Sequence, residues 1–139
     1  MKKAYTLENE KNLQSLAFGY IQENERTMFI PIVISAGKDK KIYIYYDNMP
    51  DEVNGMLYKP KMIIEMKQLD AVWNITYKNN SEYEDYGHVS MVFKDRKDHM
   101  ITFFYRSQDE KEIYAFLSDL KDMGVDIIQK IKDKSRPDF

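Results

Sequence analysis

The feature that most constrains the fold is a change of hydrophobic period late in the chain. Up to about residue 106 the apolar residues recur at every second position in short runs closed by turn-forming residues, the signature of half-buried strands. Leu16, Phe18 and Tyr20 alternate first, and the polar run QENER at 22–26 follows. Met28, Ile30, Ile32 and Ile34 alternate next; Pro31 falls on the opposite face and lacks an N–H, which marks this run as an edge or bulged strand. The turn AGKDKK at 36–41 leads to Ile42, Ile44 and Tyr46 set against Tyr43 and Tyr45, and DNMPDEVNG at 47–55 is a loop by its Pro, Asn, Asp and Gly content. Two runs at 61–67 and 71–78 come next, with Asp70 marking a tight bend between them; the second sets Trp73, Ile75 and Tyr77 against Val72, Asn74 and Thr76. After a loop at 79–87, Val89, Met91 and Phe93 share a face, and beyond the turn at 94–98 Ile101, Phe103 and Tyr105 oppose Met100, Thr102 and Phe104. Seven strands are expected.

From Ser107 the period moves to about 3.6 residues. Ser107 and Glu110 have capping-box spacing, and Ile113, Phe116, Leu117 and Leu120 form a helical stripe. Ile127, Ile128 and Ile131 continue that stripe, and acidic residues at 109, 110 and 112 with lysines at 130, 132 and 134 suit the dipole of one long helix. The spacing therefore predicts a single helix from 108 to about 133, kinked at Gly124, before a tail at about 134–139.

With 139 residues the chain is expected to be one domain, 1–139, large enough to bury a core without disulfides or a structural metal. It has no cysteine, which excludes zinc–thiolate sites, iron–sulfur ligation and thiol nucleophiles. Glu8, Glu10 and Lys11 interrupt any apolar run behind the N-terminal lysines, and the longest apolar stretch, 28–36, is about half a bilayer span. The expected location is the cytosol.

The fold class that follows is α+β: about seven antiparallel strands forming a curved sheet or half-open barrel, closed by one C-terminal amphipathic helix. In this order of elements the chain resembles the pleckstrin-homology-like superfold, in which a helix covers one opening of a half-open barrel. The residues that carry the resemblance are the seven alternating runs and the closing segment SQDEKEIYAFLSDLKDMGVDI. The resemblance implies a recognition module. It does not carry over phosphoinositide binding, because the first hairpin loop holds Glu23, Glu25 and only Arg26 instead of a basic cluster. The lysines at 38, 40 and 41 and the bases at 94, 96 and 97 are each diluted by an aspartate. A plain α+β domain with the helix across one curved sheet is the other architecture compatible with the pattern.

The five glycines, at 19, 37, 55, 87 and 124, lie too far apart to form a glycine-rich phosphate loop. Asp85, His88 and Ser90 are close in sequence, but in a strand His88 and Ser90 point in parallel from one face and Ser90 lacks the sharp turn that exposes a nucleophile. Asp95, Asp98 and His99 lack a fourth metal ligand. No catalytic, cofactor or metal site is therefore assigned. A formal net charge of -2 provides no footprint for nucleic acid, and a membrane surface is not expected as a partner either.

Binding features are clearer. Tyr43 and Tyr45, with Tyr46, occupy both faces of one strand, and tyrosines suit interfaces because they join rigid area to a polar tip. Glu82, Tyr83, Glu84, Asp85 and Tyr86 form an acidic, aromatic loop for a basic partner. Ile127, Ile128 and Ile131, on the far half of the expected helix, offer an apolar stripe to another protein or to a homodimer. The expected function is a small non-catalytic protein-binding or adaptor module. Two alternatives remain open: a phage or mobile-element protein that neutralises a host enzyme, which size and Lys-, Ile- and Asn-rich usage permit, and an enzyme using carboxylates or tyrosines in the barrel mouth.

Overall fold

Every one of the seven alternating runs forms a strand, and three further strands join them. The computed structural model describes residues 5–7, 9–22, 29–46, 56–78, 86–95 and 100–133. Among these residues the elements are β1 (Tyr5–Leu7), β2 (Leu13–Gln22), β3 (Phe29–Gly37), β4 (Lys41–Tyr46), β5 (Met56–Tyr58), β6 (Met62–Glu65), β7 (Leu69–Lys78), β8 (Tyr86–Phe93), β9 (Met100–Arg106), α1 (Glu110–Asp122) and β10 (Ile127–Asp133). Eight strands form one sheet in the order β10-β7-β8-β9-β2-β3-β4-β6, and β1 pairs with β5 in a separate two-stranded ribbon. The large sheet is antiparallel except where β10 lies parallel to β7, and it is open, ending at β10 and β6.

The helix covers one face of this curved sheet. Its stripe of Ile113, Phe116, Leu117 and Leu120 is buried and packs chiefly over β2, with Ile32, Ile34, Val72, Val89, Met91 and Phe103 in the same core. On β2 the residues turned towards the helix are small or aliphatic, namely Ala17, Gly19 and Ile21, so Leu16, Phe18 and Tyr20 point the other way. Pro31 is interior to β3, not on an outer strand of the sheet: it pairs with Tyr20 of β2, while the β3–β4 register begins only at Ile32. The strand is thus edge-like at that one position, where the missing N–H breaks no described β3–β4 bond. The turn between β6 and β7 is a 3-10 turn at Met66–Gln68, and Asp70 lies within β7 at a register irregularity.

The single long helix is corrected in two places. At its start, Ser107–Asp109 is a 3-10 turn and α1 begins at Glu110. At its end, α1 stops at Asp122, and Gly124 terminates it instead of kinking it. With φ +98°, a left-handed conformation suited to glycine, Gly124 donates its N–H to the Lys121 carbonyl at 3.0 Å. Val125 N–H reaches back to the Leu120 carbonyl at 3.0 Å, and its buried side chain joins the core. The isoleucines beyond are β-branched, and Ile127–Asp133 extends along Val72–Lys78 as an edge strand. The expected tail at about 134–139 lies outside the described residues.

Candidate binding surface on the outer sheet face

Two patches of the sheet face away from α1, and they differ. Over β3 and β4 the outer face is covered by β1, where Leu7, Val33, Tyr43 and Tyr45 form a small second core. Tyr45 is 0% exposed and Tyr43 8%. The Tyr45 hydroxyl donates to Asn9 Oδ1, Asn9 Nδ2 donates to Ser35 Oγ at 3.0 Å, and the Tyr43 hydroxyl donates to Asp39. These two tyrosines, expected as partner contacts, are packed inside the molecule.

Over β7, β8, β9 and β2 the outer face carries rings. Cross-strand register aligns Lys130, Ile75, His88, Phe104, Tyr20 and Pro31 in one row across six strands. Because paired residues share a face, this row is a continuous outward surface. His88 sits between Tyr77 and Phe104, with ring centroids 5.3 and 5.7 Å away. Tyr77 stacks on Tyr86 at 4.8 Å, and Phe29 meets Phe104 edge-on at 5.5 Å. Lys130 Nζ lies 5.1 Å from the centre of the Trp73 ring. A groove of about 560 Å³ opens here, lined by Tyr20, Phe29, Tyr86, Phe104, Tyr105 and Arg106. Phe29 is 48% exposed and Phe18 38%, a large share for phenylalanine on a strand.

Beneath the rings, facing α1, lies a buried polar cluster. The Tyr105 hydroxyl donates to Asn74 Oδ1 at 2.7 Å, and Thr76 Oγ1 is 3.3 Å from the Tyr105 hydroxyl and 3.4 Å from that of Tyr114 on α1. Burial raises the Tyr105 pKa above its ordinary value, outweighing the bond to Thr76, which lowers it. Gly87 makes room for that ring: a methyl group there would lie 2.8 Å from Tyr105 Cε1 and closer still to Cζ and the hydroxyl.

The other expected residues divide as follows. Tyr86 belongs to β8 and lines the groove instead of standing in a loop, whereas Glu82, Tyr83, Glu84 and Asp85 lie outside the described residues. Ile127, Ile128 and Ile131 are in β10, so no helix presents them; Ile127 packs on the core and Ile131 is 72% exposed. Ser90 pairs its hydroxyl with that of Thr102 at 2.8 Å. Among the described residues no group of three or more His, Asp or Glu side chains could hold a metal ion, and no helix is long and apolar enough to cross a membrane. The sequence singles out neither Tyr20 nor Phe104 as a contact residue, and it weighs His88 only beside Asp85 and Ser90 as a triad. Their one signal is that β2 and β9 are apolar on both faces, which a strand with a solvated face is not.

Compared with known protein families, curated proteins and solved structures, the chain matches none.

Proposed function

We propose that this chain is a non-catalytic protein-recognition module of pleckstrin-homology-like type whose contact surface is the outer face of β2, β7, β8 and β9. The observation that carries the reading is the row of ring and apolar side chains from Ile75 through His88 and Phe104 to Tyr20, flanked by exposed Phe29. An antiparallel sheet with a helix on one face ordinarily turns polar residues outward on the other. A contiguous aromatic face in their place marks an interaction site, and its Tyr, Phe and Arg content is that of interface cores. The polar side chains that the fold gathers, Asn74 with Thr76 and Tyr105 and Asn9 with Ser35 and Tyr45, bond one another in buried positions, which suits a structural role.

Site-specific photo-crosslinking tests this. A photoreactive phenylalanine at position 29 is expected to give a discrete protein adduct in cells, and the same group at Ala115, on the exposed side of α1, is expected to give none. The adduct should vanish in a Phe104→Ala background that keeps its unfolding midpoint. Equal adducts from both positions, or an adduct indifferent to Phe104→Ala, would sink the proposal.

A further inference from the structure

The large sheet ends in two open edges, and we infer that the edge at β10 pairs with the same edge of a second copy, giving a closed dimer in which β10 runs antiparallel to itself about Gln129. The pairing does not depend on the outer-face contact. Among the described residues no strand pairs with β10 on the side away from β7. The Asp126 carbonyl accepts the Val72 N–H at 2.8 Å, so the even-numbered residues of β10 turn their backbone groups to β7. Ile127, Gln129 and Ile131 therefore turn theirs to the open edge, where an added strand satisfies them. The edge also carries an apolar side chain, since Ile131 is 72% exposed. Lysines often guard such edges, but Lys130 Nζ lies 5.1 Å from the centre of the Trp73 ring and so is drawn over its own sheet.

Side chains choose the register. Opposed residues of an antiparallel pair share a face, so a two-fold pair of β10 strands can centre on any residue of the strand. Centred on Gln129, Ile127 of each copy faces Ile131 of the other, Ile128 faces Lys130, and residue 126, an aspartate, faces residue 132, a lysine. No like charges meet. Centring on Lys130 would set that residue against itself and Ile127 against Asp133, and centring on Ile131 would set Lys130 against Lys132. Centring on Ile128 would move Ile131 opposite Val125, before the strand begins. The face shared by Ile127, Gln129 and Ile131 also has room for the second copy. A groove of about 320 Å³ opens between α1 and β10, lined by Tyr114, Leu117, Ser118, Lys121, Ile127 and Gln129. With the Cβ atoms of opposed residues about 4.5–5.5 Å apart, the second copy's Ile131 comes in beside Ile127 at this groove. The far edge suits a partner less well: β6 has four residues and comes just after Pro60, which has no N–H to donate.

Sedimentation velocity over a range of protein concentrations tests the pairing, together with single cysteines placed in a chain that has none. A dimer is expected at micromolar concentration, weakened about tenfold or more by Ile131→Lys and untouched by Phe104→Ala, which separates this edge from the outer face. At the two-fold axis Gln129 forms a hydrogen-bonded pair with its own copy, whose Cα atoms stand about 5.5 Å apart, within the span of a disulfide. Gln129→Cys should therefore give a covalent dimer under copper-catalysed air oxidation. Lys130→Cys, two residues out of register with its copy, should run as a monomer on a denaturing gel. A monomer at every concentration overturns the inference. So does a dimer indifferent to Ile131→Lys, one that Phe104→Ala dissolves, or one that Lys130→Cys locks as readily as Gln129→Cys. Species that grow beyond two copies overturn it too, because they report open-ended addition of one edge to another. The Ile131→Lys variant should keep the far-ultraviolet circular dichroism of the wild type, which separates lost pairing from lost folding; where it does not, the two cysteine variants decide.

Discussion

Replacing Gly87 by alanine sets two physical effects against each other, and the sign of the result tells which governs β8. Glycine inside a strand is ordinarily a weakness, so propensity alone predicts that Gly87→Ala stabilises the protein by about 0.5–1 kcal/mol. Packing predicts the opposite. The added methyl would sit 2.8 Å from Tyr105 Cε1 and nearer to the ring end, whereas carbon atoms in ordinary contact stand about 3.5–4 Å apart, so the ring must retreat by about 1 Å. The Tyr105 hydroxyl is 2.7 Å from Asn74 Oδ1, and Asn74 is fully buried, so the retreat strips a buried acceptor of its donor. Overpacking costs about 1–3 kcal/mol and an orphaned buried polar group about 1–3 more; after the gain in propensity, the net loss is about 1–5 kcal/mol. Urea denaturation should therefore show a lower midpoint with an unchanged slope. The decisive comparison is a double-mutant cycle with Tyr105→Leu, which removes the ring. In that background Gly87→Ala should be neutral or slightly stabilising. An equal effect of Gly87→Ala in both backgrounds would refute the reasoning, because the cost would then not pass through Tyr105.

Three further outcomes follow from the geometry. Gly124→Ala should cost about 1–2 kcal/mol, since a side chain at φ +98° is strained although no atom lies within 4 Å of its Cβ; Gly124→Asn should lose less, and equal stability of all three in urea would show that the cap is unimportant. Phe116→Ala or Leu120→Ala should cost about 2–5 kcal/mol because both are fully buried under the sheet, while Lys111→Ala on the exposed side should stay within about 0.5 kcal/mol; a near-zero change at Phe116 would displace α1 from the core. For Tyr105 the folded-state pKa is raised by burial, so the unfolded chain gives up that proton first. Its contribution to stability is whole below about pH 10 and is lost as the pH rises beyond, by at most about 1.4 kcal/mol per pH unit. The stability gap between the wild type and Tyr105→Phe should accordingly be constant near neutrality and shrink above about pH 10, and a gap that widens there would contradict the burial of this hydroxyl.

The parts of this fold that could be read from the residues are those where one property decides alone. Alternation with turn chemistry on either side locates β2, β3, β4, β6, β7, β8 and β9, because pleating alone makes period two. The stripe of Ile113, Phe116, Leu117 and Leu120 locates α1 for the equivalent reason. The segment 127–131 shows where period fails: isoleucines at 127 and 131 are one helical turn apart and are also two strand steps apart, so both patterns accommodate them. What decides is upstream, in the left-handed Gly124 that ends α1, and across the chain, in the free edge of β7 that Ile127–Asp133 joins. A tertiary edge is not written into the local sequence of the strand that fills it. The short ribbon of β1 and β5 was hidden for the same reason, since three residues carry too little alternation to register and their pairing spans Tyr5 to Met56.

The candidate surface was harder to read because hydrophobicity ranks residues without saying which face a neighbour will take. On β2, Leu16, Phe18 and Tyr20 are the bulkier set and would be assigned to the core on transfer free energy alone. The helix reverses that choice: α1 packs closely over β2, and Ala17 and Gly19 allow the approach while Ile21 fills the space beside them. The large side chains are then turned outward, where register carries Tyr20 on to Phe104, His88 and Ile75. On β4 the reverse occurs, since Tyr43 and Tyr45 look like surface tyrosines until β1 lies over them and Asn9 takes the Tyr45 hydroxyl. Both reversals have one origin. A sheet strand has two faces of equal period, and the element that arrives to cover one of them, a helix or a ribbon, fixes which aromatic residues become core and which are left for a partner.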